Sequence, residues 1–370
     1  MPEGHDTSDG TQIWGDRFIR PAEEVQAFED EIAKNIAETM RLRLTPGENT
    51  QLTKHDTANP EAFQLYLQGQ YYFNKFSEEG FAKAIECFNG AVEKDPGYAR
   101  AYAGIAHSYA ILAAEFRPSK EVMPQAQTAA TRALTLDPAV AEAHTALGMY
   151  HEFYTWDWKA AESEFQKALA LDLNNPDTLH FYGHYLQAVG RAQDAVPVLK
   201  RALDRDPLAL IINVEYGGAL YFARRYLEAA EALRKALDLD HGFIFASWGE
   251  AAALERLGRV GEAIVELERV RSQGWSVILV ELACAHAVAG RPQESRRLLA
   301  EVKAGKQYVD PVVMATAYAE LHDLDEAFQW LAKGYRERSP QLSFLQAEPK
   351  FDPLRADLRY ADLLRKLKLA

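Results

Sequence analysis

The sequence predicts an all-α protein, an α-solenoid of about eight stacked helix pairs, and three observations lead there. A small residue near the start of a helix recurs at Ala84, Ala126, Ala161, Ala195, Ala229, Ala263, Ser295 and Ala327, the last six spaced 34, 34, 34, 32 and 32 residues apart. A fixed period of that size marks a stacked repeat. Four residues after each stands a second apolar group (Phe88, Ala130, Phe165, Leu199, Leu233, Leu267, Leu299, Leu331) and seven after each a third (Ala91, Ala133, Ala168, Ala202, Ala236, Val270, Val302, Gly334), which is one face of a helix. Upstream of each lies a partner helix with a small residue and, three positions on, a larger one: Gly69 and Tyr72, Ala106 and Tyr109, Gly148 and His151, Gly183 and Leu186, Gly217 and Leu220, Ala251 and Leu254, Ala283 and His286, Ala315 and Tyr318.

Taken in order, residues 11–20 (TQIWGDRFIR) read as a strand, and a helix from Pro21 carries Val25, Phe28, Ile32, Ile36 and Met40 before Pro46 and Gly47 stop it. One strand and one helix cannot bury a core, so residues 1–59, with their polar linker, look like the tail of a larger unit. An unpaired strand edge there invites pairing with a second copy. The repeats are placed at 62–98, 99–140, 141–175, 176–209, 210–243, 244–275, 276–307 and 308–341, within an array spanning 60–341. Small residues let paired helices approach closely, and Pro96, Pro138 and Pro207 end the second helix, with Leu173 and His241 in that place elsewhere. The two longest repeats are expected to hold their extra residues, 75–80 and 116–124, in loops between paired helices. Residues 342–370 end in a helix with Leu358, Leu363, Leu364 and Leu367, read as the cap that covers the end of the stack.

Composition narrows the function. With 54 acidic and 41 basic residues the formal charge is −13, and no Lys/Arg stripe is present to bind a phosphate backbone, so nucleic acid is excluded as a partner. Cys87 and Cys284 form no metal or redox spacing, and no apolar run reaches the ~18 residues of a membrane span. The chain reads as cytoplasmic, without cofactor or membrane contact. No nucleophile with a base and no glycine-rich phosphate loop is found, so it reads as non-enzymatic.

The repeat pattern resembles the tetratricopeptide repeat, whose small and large positions recur with a 34-residue period. That resemblance implies a right-handed superhelix whose first helices line a concave groove. The segment DGTQIWGDRFIRPAEEVQAFEDEIAKNIAETMRLRL is similar to the end of the TolB-like amino-terminal domain of bacterial multidomain signalling proteins, in which a repeat array follows. The stretches RPSKEVMPQAQTAATRALTLDP, YFARRY and PKFDPLRADLRYADLL carry the same likeness. The kinase, winged-helix and cyclase modules of that subfamily are not seen in the sequence.

By the resemblance, positions 2, 5, 9, 12 and 13 of each repeat line the groove. Here they place Phe63, Tyr66 and Phe73, Met149 and Phe153, Ile211, Val214, Tyr221 and Phe222, and Phe245 and Trp248 on an exposed aromatic surface, the alternative being that they are core. Phe63 and Tyr66 stand where a carboxylate clamp would need charges, which argues against a chaperone tail as ligand. His180 and His184 have the i, i+4 spacing of helical zinc sites, with Glu152 the nearest third ligand, but without an HExxH glutamate they are read as solvated groove polarity and no metal is expected. His144 and His151 read as packed histidines, and Trp156, Asp157 and Trp158 as a helix cap with two indoles closing a corner. The function expected is a protein-interaction scaffold or sensory arm that binds a peptide or helix, the alternative being a small-molecule or glycan sensor using the same groove.

Overall fold

A computed structural model describes residues 3–5, 12–15 and 57–369. At the amino end β1 (Glu3–His5) and β2 (Gln12–Gly15) pair antiparallel, Gly4 opposite Trp14, so one edge of the strand expected there is taken by the chain itself. The remainder of that strand and the helix expected after Pro21 lie outside the described residues.

From residue 60 the chain forms helix pairs: α1 (Pro60–Phe73) with α2 (Glu78–Lys94), α3 (Ala99–Glu115) with α4 (Ser119–Leu136), α5 (Ala141–Tyr150) with α6 (Trp158–Leu171), and α7 (Pro176–Ala188) with α8 (Ala192–Arg205). The series continues with α9 (Leu210–Phe222) and α10 (Tyr226–Leu239), α11 (Ile244–Arg256) and α12 (Val260–Val270), α13 (Ser276–Val288) and α14 (Pro292–Ala304), then α15 (Pro311–Glu320) and α16 (Leu324–Glu337). A last helix, α17 (Leu358–Lys366), lies on α16, with the Arg359 guanidinium 4.2 Å from the centre of the Phe328 ring.

Each pair closes as its small residues require. A methyl group added at Gly183 would sit 2.6 Å from Leu199 Cγ, and one at Gly148 2.7 Å from the Phe165 ring, so only glycine admits those side chains. The partner of Gly183 is thus Leu199 of the second helix. Turns between pairs rest on an aspartate more than on proline. Asp95, Asp137 and Asp206 are held extended before Pro96, Pro138 and Pro207, and each accepts a backbone N–H two or three residues on. Asp172 and Asp240 do the same where Leu173 and His241 replace the proline.

The two long repeats differ from expectation. Their extra residues mostly extend helices: α2 begins at Glu78 and α4 at Ser119, and α4 runs through Pro124. Amphipathic continuity wins over the proline's missing donor, because Val122, Met123 and Ala126 are buried on that face.

The array also closes on itself. Phe76, between α1 and α2, meets Phe245 of α11 edge to face at 5.4 Å, and Trp156, before α6, stacks on Tyr335 of α16 at 5.1 Å. Corners of early repeats therefore touch repeats five further along, and the concave side becomes an interior.

Candidate functional site

The interior is already filled by this chain. After α16, two short 3-10 turns, Pro340–Phe344 and Pro349–Leu354, run inside the superhelix against first helices of the pairs. Leu342, Leu345, Phe351 and Leu354 are fully buried there. Gln341 Nε2 donates to Ala114 O and Ser343 Oγ to Glu152 O, Phe344 stacks parallel on Phe222 at 5.2 Å, and the Tyr221 hydroxyl donates to Glu348 at 2.9 Å. Lys350 is the cationic anchor. Its ammonium bonds Glu281 and stands 3.6 Å from Glu255, both buried. Burial pulls the Lys350 pKa down, but the surrounding anionic groups outweigh it and hold the ammonium charged; burial raises the Glu255 carboxyl well above its usual range. Arg224 and Asp352 add a two-pronged ion pair at the rim.

This overturns the exposed aromatic groove. Met149 and Phe153 are at most 1% exposed, and Val214, Tyr221 and Phe245 are also buried. His184, Val214, Tyr221, Phe222, Phe245 and Trp248 do converge on one cavity of about 160 Å³, whose wall also takes in Gln341, Phe344, Glu348, Lys350 and Phe351 of the last segment, together with other residues of the helices. Phe63, Tyr66 and Ile211 are half-buried elsewhere. Tyr66 packs between the Phe88 and Tyr98 rings, Phe73 lies between Phe81 and His107, and Ile211 joins the cluster around Leu179 and Ala202. Trp248 is half-buried and its indole N–H donates to Glu281 at 3.0 Å.

The histidine pair is likewise not solvated. His180 is 3% exposed, and both imidazoles turn Nε2 toward Glu215 of α9, His184 in a hydrogen bond and His180 at 3.5 Å. The third member is Glu215 rather than Glu152. Burial opposes the charge on His184, yet Glu215 raises its pKa above the ordinary value; Glu215 in turn is held far below its own despite burial. Glu152 lies on a wide π-type turn, His151–Thr155, which also carries Phe153 and ends at Trp156 in the left-handed region (φ 52°). Neither of its carboxylate oxygens has a hydrogen-bond partner, and burial pushes its pKa up to about 8. Glu115, on the cavity wall, is pushed to about 7 by burial and by Glu215.

Other expected residues take structural places. His144 bonds Glu164 at 2.6 Å, and His151 lies 3.3 Å from Thr155. Asp157 caps α6 through Ala160 N, while the Trp158 indole donates to Leu367 O at 2.7 Å, tying the third repeat to the end of α17. Glu215 and Glu281 went unnoticed in the sequence. Each is the one carboxylate of its helix (LIINVEYGGALYF and SVILVELACAHAV), a signal that a search for apolar periodicity passes over.

Comparison with known proteins agrees with this architecture. A model of the tetratricopeptide-repeat family matches residues 183–242, the second half of the fourth pair's first helix through the end of the fifth pair. Over that stretch the chain matches tetratricopeptide repeats. It is similar to putative adenylate cyclase 3 of Rhizobium meliloti (strain 1021), 28% identical over 100 residues, or 27% of this chain and 17% of that protein. A second relative is the Hsp70-Hsp90 organizing protein of Triticum aestivum, 25% identical over 167 residues, covering 42% of this chain and 27% of that one. The chain thus spans well under two thirds of these relatives. The solved human IFIT1 dimer with m7Gppp-AAAA shares the fold at a TM-score of 0.54 and 13% identity, over 85% of this chain and 77% of that one. Repeats of this family generally mediate protein–protein interactions, and no helix among the described residues is long and apolar enough to cross a membrane.

Proposed function

We propose that this chain is a non-catalytic, cytoplasmic interaction arm of a bacterial signalling protein, one that takes a short peptide segment of a partner into its concave interior. The observation that carries the reading is the resident segment. Residues 340–354, two 3-10 turns joined by a short link, are a segment bound inside the superhelix, with Phe344 on Phe222 and Lys350 on Glu255 and Glu281 as aromatic and cationic anchors. A partner segment with the same two anchors would exchange with it, drawing affinity from apolar burial and specificity from the buried carboxylates. The likeness to the TolB-associated subfamily and the stretch shared with the putative cyclase support a signalling context.

The test uses the full chain. A labelled peptide of residues 339–355 is added to wild type and to a chain carrying Phe344→Ala and Lys350→Ala. The wild type should stay unlabelled, because the tethered segment competes at high effective concentration. The double variant should bind the peptide, and should ignore a peptide with both anchors changed. Failure of the double variant to bind while its helical circular dichroism persists would overturn the reading.

The cavity favours a second reading, a sensor of small molecules. Tyr221, Phe222, Phe245 and Trp248 surround it, with His184 and Lys350 as polar ends. A thermal-shift screen against metabolites separates the two, since a pure peptide scaffold should not respond. Pairing of two copies through the amino-terminal ribbon remains part of the proposal, tested by the oligomeric state of a chain with Trp14→Asp.

A further inference from the structure

We propose that His180, His184 and Glu215 form a binding site for a divalent cation of the zinc class. This goes beyond the partner-binding reading and does not depend on it. One ligand atom from each residue lies within 4.8 Å of the others, and the His180 Nε2 to Glu215 Oε1 distance of 3.5 Å is close to the roughly 3.3 Å that separates ligands around a tetrahedral zinc. The geometry is built by the repeat itself. His180 and His184 are one helical turn apart on α7, and Glu215 comes from α9, the neighbouring first helix in the stack.

Two further observations point to a cation. His180 Nε2 is buried, faces the cluster and makes no hydrogen bond. Glu152, close enough to act on His184, also has both carboxylate oxygens without a hydrogen-bond partner, so this buried region holds more polar atoms than the chain itself pairs.

Two neutral imidazoles and one carboxylate are a borderline donor set that suits zinc better than calcium or magnesium. His184 and Glu215 also wall the cavity, so a fourth coordination position would open onto it and not into packed side chains. The His184–Glu215 hydrogen bond is the competing state. Metal must displace the proton that His184 shares with it, so affinity should rise with pH.

The full chain, stripped with a chelator, is titrated with zinc chloride by calorimetry, and zinc is counted after dialysis by mass spectrometry. One zinc per chain is expected for wild type and for His144→Ala, which lies outside the cluster. His180→Ala, His184→Ala and Glu215→Gln should each weaken binding by roughly 10- to 100-fold or more. Because these variants perturb a buried cluster, cobalt(II) on the unaltered chain provides a second measurement. The intense visible absorption of four-coordinate cobalt supports the site. A faint octahedral spectrum, substoichiometric zinc on wild type, or full zinc retention by the His180→Ala, His184→Ala double variant would overturn it.

Discussion

The cores between paired helices and the interior of the superhelix are packed by different rules. In a pair core, a residue meets its partner within one repeat, as Gly183 meets Leu199 or Gly148 meets Phe165. In the interior, contacts join residues far apart in sequence: 127 residues between Tyr221 and Glu348, 209 between Trp158 and Leu367, 227 between Gln341 and Ala114. The pair cores are apolar and repetitive, whereas the interior mixes aromatic rings with buried charges and never repeats. Local packing can propagate one pair at a time, but the interior forms only when the whole array and its last segment are in place.

Substitutions can break either region separately. The largest loss is expected in a pair core. Phe165 is fully buried between Gly148, Tyr182 and Tyr185, so Phe165→Ala should cost ~3–5 kcal/mol through the cavity it leaves. The urea midpoint should fall, and amide exchange should rise first in α5 and α6. If exchange rises equally at residues 340–354, the two regions are one cooperative unit and the distinction fails.

Lys350→Met attacks the interior, at a cost that depends on pH. It leaves Glu255 and Glu281 buried without their cation, and breaking a buried pair typically costs ~3–5 kcal/mol. The Glu255 carboxyl, which burial already raises and Lys350 holds down, would be pushed further above its unfolded value, so the folded form binds more protons and stability falls as pH rises through that window. The loss should therefore be small near pH 5 and full near pH 8. Exchange should rise at residues 340–354 while α5 and α6 stay protected.

What the sequence disclosed follows the same division. The helix pairs were legible because Ala161, Phe165 and Ala168 lie on one face of a helix, and the same spacing recurs along the chain. The interior was not, because no period connects Lys350 to Glu281 or Phe344 to Phe222, and a basic residue between two prolines reads as an ordinary surface turn. Tyr221, Phe245 and His184 were found at groove positions, but their burial was hidden, since it depends on a segment more than a hundred residues downstream. Glu152 and Glu215 exchanged roles for a local reason. The π-type turn at His151–Thr155 alters the helix register there, while Glu215 sits on an adjacent helix whose lateral position no spacing rule supplies.

Glu152→Gln gives a smaller effect of opposite sign. The folded pKa of about 8 lies above the ordinary value of 4.5, so between those limits the folded state holds a proton that the unfolded state has lost. Wild-type stability contributed by this group is then present at low pH and lost as pH rises toward 8. Glutamine cannot ionise, so the variant should match wild type near pH 5 and exceed it near pH 8. The gain is bounded by about 1.4 kcal/mol for each tenfold difference in proton affinity between the folded and unfolded chain. Thermal midpoints at the two pH values check this, and a variant that is less stable at both would mean that the carboxylate is paired after all.

The smallest effect belongs to the rim, where Arg224 reaches Asp352 with two N–H donors at 2.8 and 2.9 Å. Both side chains are substantially exposed, 39% and 48%, so water and salt screen the pair despite its good geometry. Arg224→Ala should lower global stability by no more than ~1 kcal/mol, and the difference should shrink as salt is added. Its local consequence is more informative. If residues 340–354 are held mainly by Phe344 and Lys350, exchange there should increase only slightly in Arg224→Ala, far less than in Lys350→Met. A release of the segment comparable to that in Lys350→Met would place its anchor at the solvent-exposed rim, and the buried carboxylates would then have to owe their position to something other than holding the last segment of the chain.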